Sequence, residues 1–364
     1  MRASKRKVSC LILLVLSSFV FLYVASSASG SPVTGKVEQT PTLAGNVTVH
    51  FIDVGQGDAI FVDTPGLDML VDGGSRGEGD TVMNYLRSLN VTRIDLVVAT
   101  HPHADHIGGL ITVLTEYNTT QVPVVVDSGI GATTVTYDDY VSAVGARSTR
   151  VAVRGDTISL GHGVEVTILN PSSPHEFEDA NDNSVVLWVQ VYNVTFLLTG
   201  DSEAPAESSI IAVGYGWGST VLKVGHHGSQ TSASTEYLDA VGPEIAVISV
   251  GEGNRYDHPH PETLDKLTLE SVAVYRTDLH GTVRVTTDGG DYTVLIEKGS
   301  PPPASTPEPP ASPGPTATAS LGPSPTPSPK PDIPFQIPGF TPFQILLGTL
   351  VALIVITLMT KRNA

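Results

Sequence analysis

Three histidines and an aspartate crowd into six residues at His101-Pro102-His103-Ala104-Asp105-His106. So many metal-ligand donors in one short stretch need a backbone that can turn them towards a common point. The flanks supply it. Ile94-Asp95-Leu96-Val97-Val98-Ala99 before the stretch reads as a buried strand, and Gly108-Gly109-Leu110-Ile111 after it opens a helix. A strand-to-helix loop lets side chains converge while the rigid elements on either side fix their directions. His101 and His103 alternate along extended chain and so point the same way. Asp105 and His106 come where the helix begins. The four residues serve two adjacent metal positions, His101 with His103 and Asp105 with His106. Two metals about 3.5–4 Å apart activate water and clamp a phosphoryl or acyl group. A structural zinc site would be closed and usually rich in cysteine.

The two ends of the 364-residue chain are not globular core. Residues 2–7 carry four positive charges, residues 8–25 are apolar, and Ser26-Ser27-Ala28-Ser29-Gly30 follows. That is the order of a secretory signal peptide over residues 1–30, with an uncleaved membrane anchor as the rival reading. Cys10, the single cysteine, lies inside the apolar run. Removal of the signal therefore leaves no disulfides, and any metal rests on nitrogen and oxygen ligands. Residues 299–336 read as an extended Pro/Ser/Thr-rich linker, with 14 prolines between 301 and 334. Beyond it come Ile337-Pro338-Gly339-Phe340, an apolar run over 343–360, and Lys361-Arg362. Residues 337–364 are thus long enough to cross a bilayer and end on a basic cytoplasmic flank. This tail resembles the PGF-type C-terminal sorting signal of archaeal surface proteins, which an archaeosortase exchanges for a lipid. A plain C-terminal anchor is the alternative. Either reading tethers the domain to the outer cell surface. Asn-x-Thr sites at Asn46, Asn90, Asn118 and Asn193 suit a glycoprotein exposed there.

The folded unit is then residues 45–298. It holds 12 Lys and Arg against 34 Asp and Glu, a net charge of −22. Such a surface repels phosphate backbones in general and argues against tight, non-specific nucleic-acid binding. Strands are expected at 46–53, 59–63, 69–71, 94–99 and 122–126, and helices at 81–89, 107–117 and 137–146. A second series has strands at 151–153, 157–160, 164–169, 185–191 and 195–198, the last two joined by a turn at Tyr192-Asn193. Helix 204–213, strand 220–224, helix 236–241, strand 245–250, helix 261–271 and strands 272–275, 282–286 and 292–296 follow. The elements are mixed and fall into two roughly similar halves. This predicts an α/β fold, a four-layer αββα sandwich of two sheets with helices outside.

Two further strand ends carry chemistry. Leu197-Leu198-Thr199-Gly200-Asp201 leads to Asp201, a candidate bridging carboxylate. The strand at 221–224 leads to Gly225-His226-His227-Gly228-Ser229, where one histidine is a ligand and the other orients a ligand or meets the substrate. With Asp53-Val54-Gly55-Gln56-Gly57-Asp58 and Asp72-Gly73-Gly74, these phrases follow the metallo-β-lactamase fold. More narrowly they resemble the hydrolase domain of ComEC-type DNA-uptake proteins. Asn254-Arg255-Tyr256-Asp257-His258-Pro259 and Tyr275-Arg276-Thr277-Asp278 match that branch too, and the resemblance spans about residues 47–296. It implies that Asp72 buttresses the histidine loop and that Asp201 bridges two metals. It also implies that His226 completes the second position, with His227 as the alternative, and that His258 and Asp278 line the cleft. One feature departs from the general fold pattern. Most members place a ligand histidine just before the strand at 185, where this chain has Asn181-Asp182-Asn183-Ser184, with His175 nearby. The first position is an imidazole short, and Asp182 or Asn183 is the available oxygen substitute. That makes manganese as suitable as zinc, at one or two ions per chain.

The expected protein is an extracellular, surface-tethered, metal-dependent hydrolase, with His101, His103, Asp105, His106, Asp201 and His226 as ligands. Asp105 or Asp201 orients the nucleophile, and His258 or His227 protonates the leaving group. The branch resemblance favours phosphodiester cleavage of extracellular nucleic acid. A small-molecule esterase or lactonase-like hydrolase is one alternative. A non-catalytic receptor that captures DNA for a separate membrane channel is another. With hydrophobic segments only at its ends, the chain is not expected to form a channel itself.

Overall fold

A strand that is apolar at every position needs cover on both faces. The computed structural model, which describes residues 45–214 and 218–302, shows where the cover comes from. In the first half, β1 (Val47–Phe51), β2 (Ile60–Asp63) and β3 (Met69–Val71) form an antiparallel meander. From β3 the sheet continues in parallel through β4 (Leu96–Ala99), β5 (Val124–Asp127) and β6 (Ser148–Val151). The second half repeats the scheme. Its antiparallel strands are β7 (Thr157–Gly161), β8 (Val164–Asn170), β9 (Val186–Val191) and β10 (Val194–Leu198). Its parallel strands are β11 (Val221–Lys223), β12 (Ile245–Ile248) and β13 (Ala273–Arg276). Finally β14 (Val283–Thr287) and β15 (Tyr292–Ile296) return to the first sheet beside β1. The orders are β15-β14-β1-β2-β3-β4-β5-β6 and β13-β12-β11-β10-β9-β8-β7.

Side chains alternate between two kinds of core. Leu96 and Val98 pack with Phe196 and Leu198 in the cluster that joins the two sheets. Val97 and Ala99 face the other way, onto Val82 and Leu86 of α1 (Gly79–Ser88) and Leu110 and Val113 of the later helix Leu110–Glu116. In the second half Leu197 and Leu222 likewise meet Ile210, Leu238 and Leu267 from the helices on that side. The result is the αββα sandwich that the two half-chains predict.

This topology brings equivalent strand ends to one place. Asp72 follows β3 and His101 follows β4; Asp201 follows β10 and His226-His227 follow β11. The carboxyl ends of parallel strands are where α/β sheets bind ligands. Glycines let the loops pack backbone to backbone. Gly73 N donates to His106 O (2.8 Å), Gly109 N to Gly74 O (2.9 Å) and Gly74 N to Asp58 O (2.7 Å). A Cβ on Gly109 would lie 1.8 Å from Gly73 O. Gly109→Ala is therefore expected to destabilise the fold by at least about 3 kcal/mol, the upper end for overpacking, because backbone must move. Urea unfolding measures it, and a loss below about 1 kcal/mol would show that the loops are not so tightly coupled.

The structure shifts some expected boundaries. The helix expected at 107–117 begins earlier, as α2 (Ala104–Ile107) followed after Gly108-Gly109 by α3 (Leu110–Glu116). Asp105 and His106 thus sit within a helical turn. The strand expected at 151–153 lies at Ser148–Val151 instead. It is an exposed edge strand paired only with β5, so no apolar face marks it. The remaining helices are α4 (Val135–Val144), α5 (Ala204–Ala212), α6 (Thr235–Val241), α7 (Pro261–Leu269) and an unexpected short α8 (Thr277–His280). The signal peptide at 1–30, the segment at 337–364 and nearly all of the linker at 299–336 lie outside the described residues. Among the described residues no helix is long and apolar enough to cross a membrane. Asn46, Asn90, Asn118 and Asn193 are all exposed.

Candidate metal centre

The expected site residues gather at one cavity of about 820 Å³. His103, Asp105, Asp201, His226, His227 and His258 line it, and His101 and His106 lie buried beneath. Asp201 is the hub. Its Oδ2 is 3.2 Å from His106 Nε2, 3.5 Å from His227 Nε2, 3.8 Å from His101 Nε2 and 3.9 Å from His226 Nε2. His227 Nε2 also lies 3.5 Å from Asp105 Oδ2.

Partners behind the ring set each imidazole's direction. Asp72, held at a left-handed φ of 57°, accepts from Thr100 N (2.8 Å), Thr100 Oγ1 (2.6 Å) and His106 Nδ1 (2.7 Å). The bond keeps the His106 proton on Nδ1 and leaves Nε2 for the cavity. His227 Nδ1 donates to Ser249 O at 2.9 Å, which does the same for its ring. His101 Nδ1 is near Thr100 Oγ1 (3.1 Å) and Ser184 Oγ (3.3 Å), and its Nε2 meets His103 Nδ1 at 2.9 Å.

The donors fit a divalent cation. His106 Nε2, His227 Nε2 and Asp201 Oδ1 are buried and make no hydrogen bond, an arrangement that costs free energy unless something bonds them. Three sets among the described residues have ligand atoms clustered closely enough to share one ion: His101 with His106 and Asp201, Asp105 with His106 and His227, and Asp58 with Asp72 and His106. The adjacent histidines differ. His227 belongs to such a set, whereas the half-buried His226 turns Nδ1 onto Glu203 Oε1 (2.5 Å). Both have left-handed backbone, φ 45° and 53°, which fans the two rings apart.

Opposite charges crowd together here. Burial opposes a charged His106, yet the Asp201 and Asp72 carboxylates flanking it raise its pKa well above the ordinary value. Burial likewise works against charge on His227, while Asp201, Asp105 and Asp58 push it up to about 9. Burial lowers His101, and the neighbouring His106 lowers it further. Asp201 is disfavoured as a carboxylate by burial but is held well below the usual range by His106 and His227. His258 is lowered to about 4 by burial and by the neighbouring imidazoles. It is neutral at pH 7, so it suits a hydrogen-bonding role better than that of a stored acid.

The oxygen groups near the missing imidazole are mostly engaged. Asp182 accepts from Glu203 N (3.2 Å) and Ala206 N (3.4 Å) at the start of α5. Asn183 Nδ2 donates to Phe177 O and Asp179 O, both at 2.7 Å, and His175 Nε2 bonds Ser128 O. Asn181 lines the cavity with a buried Oδ1 that has no hydrogen-bond partner. Asp278 does not join the cavity lining; Arg276 takes it as an ion pair.

A profile for the Metallo-beta-lactamase superfamily matches residues 52–252, more than half of the chain and all the donors above. The chain belongs to that superfamily. ComE operon protein 3 of Bacillus subtilis (strain 168) is 32% identical over 267 residues, 67% of this chain and 33% of that protein. Competence protein ComA of Neisseria gonorrhoeae is 32% identical over 255 residues, 69% of this chain and 34% of that one. The chain thus spans about a third of the length of these curated relatives. The metallo-β-lactamase fold protein YhfI from Bacillus subtilis superposes with a TM-score of 0.45 at 13% identity, covering 66% of this chain and 100% of that one.

Within this superfamily fold the structure adds residues that sequence reasoning passed over. Lys223 is fully buried in β11, with Nζ 2.9 Å from Asp58 Oδ2, and Asp58 Oδ1 lies 3.5 Å from His227 Nδ1. A lysine inside an otherwise apolar strand was the available signal.

Proposed function

We propose that this chain is a metal-dependent phosphodiesterase acting on nucleic acid outside the cell, where its terminal segments tether it. The observation that carries the hydrolase reading is the set of buried donors without hydrogen-bond partners around Asp201. Asp105, His106, His227 and Asp201 would hold one divalent metal. Asp201, His101 and His103, with Asn181 as the nearby oxygen group, would hold a second, weaker one. Manganese and zinc both suit such a mixture of nitrogen and oxygen donors. A metal there supplies Lewis acidity and lowers the pKa of a coordinated water. The protein's own part is positional. Asp72 and the Ser249 carbonyl keep protons on the outer ring nitrogens, so the inner ones stay free as ligands. Neutral His258, at the cavity wall, is placed to hydrogen-bond the substrate.

The nucleic-acid reading is supported by the competence proteins among the relatives. The extracellular reading is supported by the sequence of residues 1–30 and 337–364 and by the four exposed Asn-x-Thr sites. Purified protein should cleave single- or double-stranded DNA with manganese or zinc and lose that activity to a chelator. Cleavage of p-nitrophenyl esters alone would replace this reading with the small-molecule one. DNA binding without any cleavage, unchanged in Asp105→Ala, would make the chain a receptor.

A further inference from the structure

We propose that Arg255 is a subsite for the phosphate next to the one that reacts, so that the cavity prefers a chain of phosphodiesters to a single one. This rests on the phosphodiesterase reading above.

Arg255 is the one lysine or arginine among the described residues lining the cavity, in a domain whose net charge is −22. Glu78, Asp105 and Asp201 line the same space. Among the described residues lining the cavity it is the one side chain that stays positive whether or not a metal takes the histidines.

The position is built rather than incidental. The Asn254 side chain makes four bonds that close the loop beneath Arg255. Its Nδ2 donates to Gly251 O (3.0 Å) and His258 O (2.6 Å), and its Oδ1 accepts from Tyr256 N and His258 N, both at 3.1 Å. At the loop's other end a Cβ on Gly251 would lie 2.7 Å from Gln56 N, so the loop sits directly on the chain at 55–57. The rings form a ladder leading out of the donor cluster. His227 lies 6.4 Å from His258, His258 stacks with Tyr256 at 5.7 Å and 27°, and the Arg255 guanidinium sits 4.8 Å from the Tyr256 centroid. Arg255 Nη2 also donates to the Tyr256 hydroxyl at 2.5 Å. A guanidinium laid on an aromatic face keeps its charge and its fork of donors. Nε and Nη1, which no described residue engages, are free for phosphate oxygens.

The test measures binding apart from cleavage. A fluorescein-labelled single-stranded phosphorothioate oligonucleotide is titrated with the full manganese-loaded chain at several salt concentrations and read by anisotropy. Arg255→Gln should raise Kd about tenfold and flatten the salt slope by about 0.7, the value for one lost phosphate contact on a single strand. Arg255→Lys should restore the slope but only part of the affinity, because an ammonium cannot match the fork. A Kd within twofold of wild type with an unchanged slope for Arg255→Gln overturns the inference, as does an absence of wild-type binding. Cleavage of an all-phosphate oligonucleotide is scored separately. Arg255-dependent binding without cleavage by the wild type keeps Arg255 as a phosphate contact but removes the hydrolase reading, and with it the reacting phosphate next door. Cleavage with binding indifferent to Arg255 does the reverse.

Discussion

Asp201→Asn should lower metal-dependent hydrolysis by at least about a thousandfold while leaving the protein folded. The reason is position. One oxygen of Asp201 lies within 4 Å of four imidazoles drawn from both halves of the sandwich. No other carboxylate is paired so widely among the described residues, and none could span both metal positions as well. Asparagine has nearly the same volume, so packing survives. It removes the charge and replaces one oxygen with an amide nitrogen that cannot ligate. Bound metals contribute several kcal/mol of charge stabilisation in the transition state, and each 1.36 kcal/mol is tenfold in rate. Metal content and kcat of the variant, measured beside far-UV circular dichroism, decide the matter. A variant with full metal content and more than a tenth of the wild-type rate would remove Asp201 from the centre.

How much of this could be read from the sequence depends on how local each cause is. The histidine loop was legible because donors are dense there and β4 is apolar at every position, a pattern that both-face burial requires. The sandwich was legible for the same reason, repeated in β3 and β12. Edge strand β6 was misplaced because nothing covers it, and an uncovered strand carries no apolar signature. The fate of Asp182 was hidden because the helix start that it caps lies some twenty residues later in the chain. Lys223 was read as part of an apolar strand because its partner, Asp58, is brought to it only by the packing of the two sheets. Asp278, a cleft residue by resemblance, is claimed by Arg276 two residues earlier. Dense donor and apolar patterns were visible; which partner each polar side chain takes, near or far in the chain, was not.

The histidine pair is the sharpest such choice, since two identical side chains differ only in the direction the backbone gives them. His227→Ala is expected to weaken metal binding by more than about a hundredfold, and His226→Ala by less than about tenfold. Losing an outer partner of a ligand costs 10–100-fold, so losing a ligand should exceed that range. His227 is buried, its Nε2 faces Asp105 and Asp201, and Ser249 O fixes its tautomer. His226 is half-buried, stands 3.9 Å from Asp201 and spends Nδ1 on Glu203. Left-handed backbone at both positions is strained for any residue with a Cβ, so alanine neither relieves nor adds to it, and the two variants compare side chains alone. Calorimetric titration of each metal-free variant with manganese and with zinc reads the difference directly. Should His226→Ala be the variant that loses the metal, the pair exchanges roles. The second position would then be assembled around Glu203 and His226 at the cavity edge, and the buried Lys223–Asp58 pair behind His227 would support a ring that binds no ion.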